Sequence, residues 1–231
     1  MSEAAPVVPP ALPRHRTKRE LVYQTLRDAI MRCELAPGRR LLIDDLARQL
    51  DVSAIPVREA LQLLQSEGLV DNVPHVGATV SAISRQSIDE VFAVMEGLEL
   101  VAARSAAQRM TPADAAALEQ LVAGMDRAQA AARHAEWADL NSRFHLAISR
   151  LSGMPLLHEM TERILGRWDR IRRHYFEGVL VTRVETAQKE HHELLAALKA
   201  ADLPALETAV RKHNQGALSA YTEYIRRHEA G

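Results

Sequence analysis

Four side chains in the second half of the chain have the types and spacing to hold a metal ion. Asn141 and His145 stand four residues apart, so on a helix both lie on one face about a turn from each other. His191 and His213 fall in two later helical segments, and the core of a helix bundle can bring groups from several helices to one point. Three imidazoles with one oxygen donor suit a borderline divalent metal, zinc or nickel above all. The competing reading is ten histidines that pack or sit at the surface, and spacing alone favours it. His192 points about 100° away from His191 around a helix and is left out. A second set is suited to base edges of double-stranded DNA: Ser53, Ala54, Ile55, Arg58 and Gln62 would occupy the exposed face of a short helix, with Arg58 able to present a bidentate fork.

The elements that must position these groups are legible in the hydrophobic pattern. From Lys18, Val22, Leu26 and Ile30 recur at helical spacing, and Pro37-Gly38 closes that unit with a turn. A short helix follows with Leu46 and Leu50 inward. Ser53 is then placed to cap a third helix running to about Glu67, with Val57, Leu61 and Leu64 as its buried stripe. Gly68 stops it, and Leu69–Val73 with Ala78–Ala82 predict a hairpin. Three helices and a hairpin describe a winged helix-turn-helix over residues 17–82, after a flexible tail at 1–16 and before a linker at 83–86. Residues 87–228 predict an all-α bundle of six helices: Ser87–Arg109, Pro112–Arg133, Ala135–Ser152, Pro155–Tyr175, Val179–Ala200 and Pro204–His228. The fold class is mainly α.

Composition narrows the function. Aromatics are only 4% while Ala, Leu, Glu and Arg dominate, which suits helices better than a β-sandwich. A net charge of −1 gives no global attraction for nucleic acid or membrane, so DNA affinity must come from local cations: Arg14, Arg16, Lys18, Arg19, Arg39, Arg40 and Arg48. The single cysteine, Cys33, excludes an internal disulfide framework and a cysteine-rich zinc site. No apolar run is long enough to span a bilayer and no signal peptide is visible, so a cytoplasmic protein without membrane contact is expected.

The stretch Leu35-Ala36-Pro37-Gly38, Leu46-Ala47, Val52-Ser53-Ala54-Ile55-Pro56-Val57-Arg58-Glu59-Ala60-Leu61 and Glu67-Gly68-Leu69-Val70 resembles the GntR family of bacterial transcription regulators. The remainder resembles the FCD, or FadR-type, ligand-binding domain. The resemblance implies DNA docking through Arg58, with His75 and Gly77 in the wing tip. Ala54 and Ile55 stand where the family usually has Arg and Thr. It also implies a metal site, because Asn141-Ser142-Arg143-Phe144-His145, Glu190-His191 and His213 match the family's ligand positions, with Asn141 replacing an aspartate and weakening the site. Met95 occupies the place of an arginine thought to hold a ligand carboxylate, so a simple carboxylate effector is not implied by that position. Met95, Glu99 and Arg143 are the candidate effector contacts, and an organic acid is one class of effector.

Two rival readings have weaker support. His192-Glu193-Leu194-Leu195-Ala196 begins like a zincin motif but lacks the second histidine, and no phosphate loop, dinucleotide fingerprint or nucleophile elbow appears. A helical protein-interaction module is the other. The arginine run Arg163, Arg167, Arg170, Arg172 and Arg173 is expected to be a solvated or salt-bridged face. The expected function is therefore a homodimeric, effector-responsive transcription factor, a repressor by the family's habit, on a palindromic operator, and not an enzyme.

Overall fold

The computed structural model describes residues 17–73 and 75–228. The expected tail at 1–16, with Arg14 and Arg16, lies outside the described residues. Two compact units are present, one reaching to Ala82 and a second from Ile83 onward that also takes in Met31–Cys33.

The first unit holds α1 (Lys18–Met31), α2 (Ile43–Gln49), α3 (Ala54–Ser66), β1 (Val70–Val73) and β2 (Gly77–Val80). Val22, Leu26 and Ile30 bury one stripe of α1, and Val57, Ala60, Leu61 and Leu64 bury one face of α3. Leu50, expected inward, is only half-buried because it is the C-cap of α2, where the helix turns outward. The strands are antiparallel, with Val70 opposite Val80 and Val73 opposite Gly77. A further pairing was not visible in the sequence. Leu41 N–H donates to the Ala78 carbonyl at 2.8 Å and Val80 N–H to the Arg39 carbonyl at 2.8 Å, so the segment after Pro37-Gly38 is stitched to the wing.

Ser53 sits at the N-cap of α3 with extended backbone, but its side chain makes no capping hydrogen bond. The reason lies three residues on. A capping hydroxyl takes the N–H of the second or third helical residue, and here the third is Pro56, which has none. The capping boxes that do form are Ser84 with Ser87 and Thr111 with Asp114. Through Ser84, α4 begins at Arg85, inside the span read as a linker.

The second unit consists of α4 (Arg85–Arg109), α5 (Pro112–Ala130), α6 (His134–Leu151), α7 (Pro155–His174), α8 (Val181–Ala200) and α9 (Leu203–His228). Helix α4 packs against α6, α7, α8 and α9, so side chains on its inner faces point into the middle of the bundle. One π-helical turn, Phe176–Leu180, links α7 to α8, which accounts for the later start of α8 than the expected Val179. Gly178 in that turn lies under the Tyr224 ring, where an added Cβ would overlap it.

Gly178→Ala is therefore expected to destabilise the protein by about 1–3 kcal/mol, the range for overpacking a filled site. Denaturant unfolding checks it. An unchanged midpoint would show that the Tyr224 ring moves aside freely.

Candidate metal centre and nucleic-acid interface

His145 on α6, His191 on α8 and His213 on α9 are all buried and converge, each offering a ligand atom within 4.8 Å of the others. Their ring centroids are 5.5, 5.3 and 4.6 Å apart. Two of the rings are held by buried carboxylates. Glu99 Oε1 approaches His145 Nδ1 at 2.8 Å, an ion-pair contact not aligned as a hydrogen bond, and Glu190 Oε2 is 2.9 Å from His213 Nδ1. Each carboxylate has a second donor: the Asn214 amide gives a 2.7 Å bond to Glu99, and Arg183 gives a 2.7 Å bond to Glu190. An ionised carboxylate accepts only, so His213 must donate from Nδ1 and keep its Nε2 lone pair. This is the outer support that orients imidazoles in metal sites.

His191 is different. Trp137 and Phe144 pack on its ring, and neither ring nitrogen has a hydrogen-bond partner. A buried imidazole with both nitrogens unsatisfied is costly unless something else binds it. Burial first, then the neighbouring His213 and His145, holds its pKa well below the ordinary 6.5. Burial also lowers His213, against the opposing pull of Glu190. Burial alone would raise Glu99 and Glu190, but His145 and Asn214 outweigh it at Glu99, and His213 with Arg183 at Glu190, so both carboxyls lie below the usual range. Buried carboxylates held ionised beside His145 and His213, with the unsatisfied His191 ring between those two, form a donor set that fits a divalent cation.

Asn141 is buried, and with His145 and His213 it lines a small, partly open pocket that Met95 and Glu99 also wall. A neighbouring partly open pocket shares Asn141, Trp168, His213 and Ala217 and is also lined by Arg183 and Tyr221. Of the candidate effector contacts, the structure brings Met95 and Glu99 to this space but not Arg143, which is exposed. Two residues beyond Asn141, a helical side chain is turned about 200° away. Arg183 was missed as a site residue, and Glu190, quoted only as part of the Glu190-His191 pair, was given no role of its own; its place in that pair and its separation of two helical turns from Arg183 were the available signals. Of the arginine run, Arg163, Arg167 and Arg173 are exposed and Arg163 and Arg172 are ion-paired, as a solvated or salt-bridged face would have them, but Arg170 and Arg172 are buried. Arg172 bonds Asp169 through two nitrogens and lies 5.5 Å from the Trp168 ring centroid.

In the first unit Ser53, Ile55, Arg58 and Gln62 are exposed and Ala54 half-buried, all on the side of α3 away from its core stripe. Ile55 is 67% exposed, unusual for an isoleucine. Among the described residues Arg58 forms no ion pair, whereas Arg48 is paired with Asp45. His75 and Gly77 are exposed at the hairpin tip, both at positive φ.

Comparison with known proteins matches residues 18–80 to the bacterial regulatory proteins of the gntR family and residues 90–216 to the FCD domain. The chain belongs to the GntR family. This GntR regulator is 35% identical over 168 residues to the HTH-type transcriptional regulator McbR of Escherichia coli strain K12, covering 73% of this chain and 76% of McbR. The solved structure of E. coli McbR/YncC superimposes with a TM-score of 0.71 at 31% identity, over 90% of this chain and 99% of that one. The HTH-type transcriptional repressor RspR of the same strain is 28% identical over 84% of each chain. The metal-free FCD domain of TM0439 shares the fold, at 18% identity and a TM-score of 0.54 over 64% of this chain and all of that one. This GntR chain is accordingly a DNA-binding transcriptional regulator and not an enzyme. Among the described residues no helix is long and apolar enough to cross a membrane.

The depressed His191 has a pH consequence in the metal-free GntR protein. The unfolded chain takes up its proton below about pH 6.5 while the folded chain resists, so the stability this ring contributes is present above that pH and lost as pH falls. The melting temperature is expected to drop between about pH 7.5 and pH 5.5, and His191→Leu to flatten that drop. Equal slopes in the two proteins would contradict it.

Proposed function

We propose that this GntR regulator is a cytoplasmic homodimer that represses transcription from a palindromic operator and is released by a small-molecule effector bound beside a divalent metal, zinc or nickel. The observation that carries the effector half is the buried three-imidazole cluster, two of whose rings, His145 and His213, line an adjoining pocket. His145, His191 and His213 would hold the ion with Asn141 as a neutral oxygen donor, and Met95 and Glu99 would line the effector space. The bound ion would supply positive charge at the cavity wall. Residues 17–82 are taken as the DNA-binding domain and, because α4 already starts at Arg85, 83–84 as the connection and 85–228 as the effector and dimerisation domain.

The DNA half is supported by the exposed face of α3. Arg58 is unpaired and reaches out for a base edge or phosphate, and the Ser53 hydroxyl is left without a capping role at a helix N-terminus, where anionic phosphates are favoured. Gln62 and Ile55 extend the same face. Arg48, His75 and Gly77 are assigned to the duplex backbone and its groove edge. The repressor sign is supported by the name of the relative RspR. Effector binding acts by shifting the dimer between DNA-competent and incompetent populations.

Footprinting on the gene's own upstream DNA is expected to show two half-sites related by a two-fold axis; protection of one asymmetric half-site by a monomer would refute the reading. Arg58→Ala is expected to cost about 1–3 kcal/mol of specific binding. Elemental mass spectrometry of the purified protein should find the metal, and His191→Ala should lose it.

A further inference from the structure

One side chain on the outer face of α3 is of the wrong type for water. Among the described residues of the winged unit Ile55 is the most exposed large apolar side chain, whereas Val57, Leu61 and Leu64 of the same helix are buried. An isoleucine left in solvent forgoes the burial that those neighbours gain. Ile55, Arg58 and Gln62 are all exposed and fall at i, i+3 and i+7, so they share one stripe of the helix. Of the three, only Ile55 can neither donate nor accept a hydrogen bond. Its β-branch holds it to essentially one χ1 rotamer in a helix, so it meets a partner already ordered.

The major groove of a duplex offers such a side chain very little. Guanine presents N7 and O6 there, adenine N7 and N6, and cytosine N4, all polar; thymine alone adds a methyl group at C5. Pressed on a polar edge, Ile55 would strip water from a donor or acceptor and return no hydrogen bond, which weakens binding. Against the thymine methyl, two apolar surfaces leave water together. The stripe also fixes where that thymine stands. Three residues of helix rise about 4.5 Å against roughly 3.4 Å between base pairs, so the base under Ile55 lies one or two pairs from the base under Arg58. Helix α3 carries one cation, Arg58, and one anion, Glu59, so it has no surplus charge with which to gather phosphates, and its outer face is suited to base edges.

Resting on the reading of α3 as the base-contacting helix, we propose that Ile55 is a specificity-determining residue that reads the C5 methyl of a thymine in each operator half-site, next to the base contacted by Arg58. Arg58 selects by hydrogen bonds. Ile55 selects by apolar contact and by rejecting polar edges.

Selection by the full-length protein from a random-sequence duplex pool, followed by fluorescence anisotropy on the selected duplex, tests this. The retained duplexes should share a motif with a thymine at one fixed position in each half. Replacing only that thymine by deoxyuridine removes the methyl and leaves base pairing unchanged, and it should weaken binding about fourfold per half-site, the worth of one buried carbon. Ile55→Ala, at an exposed position that leaves the core stripe of α3 intact, should bind the thymine and deoxyuridine duplexes within about twofold of each other, because the methyl and the side chain act as one contact. If the shared motif holds no fixed thymine, if deoxyuridine costs the unaltered protein less than about twofold, or if Ile55→Ala keeps the full uracil penalty, the proposal is overturned, while Arg58→Ala losing the motif keeps the α3 reading in place. If the pool yields no shared motif, or Arg58→Ala binds it as well as the unaltered protein does, the α3 reading beneath the proposal falls too.

Discussion

The desolvation of three imidazoles is the constraint around which the helical unit is arranged. Rings at this depth cannot be left to water, so each needs either a fixed partner or a bound ion. Glu99 serves His145 and Glu190 serves His213, and these carboxylates in turn need Asn214 and Arg183. One requirement thus propagates outward through α4, α6, α8 and α9. His191 ends the chain of compensation unpaired, which is why the centre reads as a receptor and not as a polar core satisfied within itself.

The same arrangement gives the adjoining space its chemistry. Asn141, His213 and Trp168 line both pockets, so the two spaces share part of their walls. Trp137, Trp168 and Tyr221 wall the larger of the two spaces, and Arg183 borders it.

In the winged unit the governing detail is Pro56. It preorganises the first turn of α3 and removes the N–H that Ser53 would otherwise cap. The helix keeps its start while the hydroxyl and the Arg58 guanidinium stay outward. The wing is steadied by backbone pairing with the Arg39–Leu41 segment, so His75 and Gly77 are carried on a supported hairpin and not a free loop.

Much of this was readable before any coordinates, and for a definite reason. Helical periodicity is local, so the stripes Val22/Leu26/Ile30 and Val57/Leu61/Leu64, the i, i+4 pair Asn141/His145 and the proline-marked helix starts could be read from spacing. Local rules failed where one residue altered another's role: Ser53 reads as a good cap until Pro56 is considered, and Arg172, read as part of a solvated or salt-bridged face, has its ion pair with Asp169 but is buried beside Trp168. Which carboxylate meets which imidazole, that Arg183 enters the cavity and Arg143 leaves it, and that His191 is the unsatisfied ring depend on how helices far apart in sequence rotate against one another. That rotation is a property of packing, and only the tertiary structure decides it.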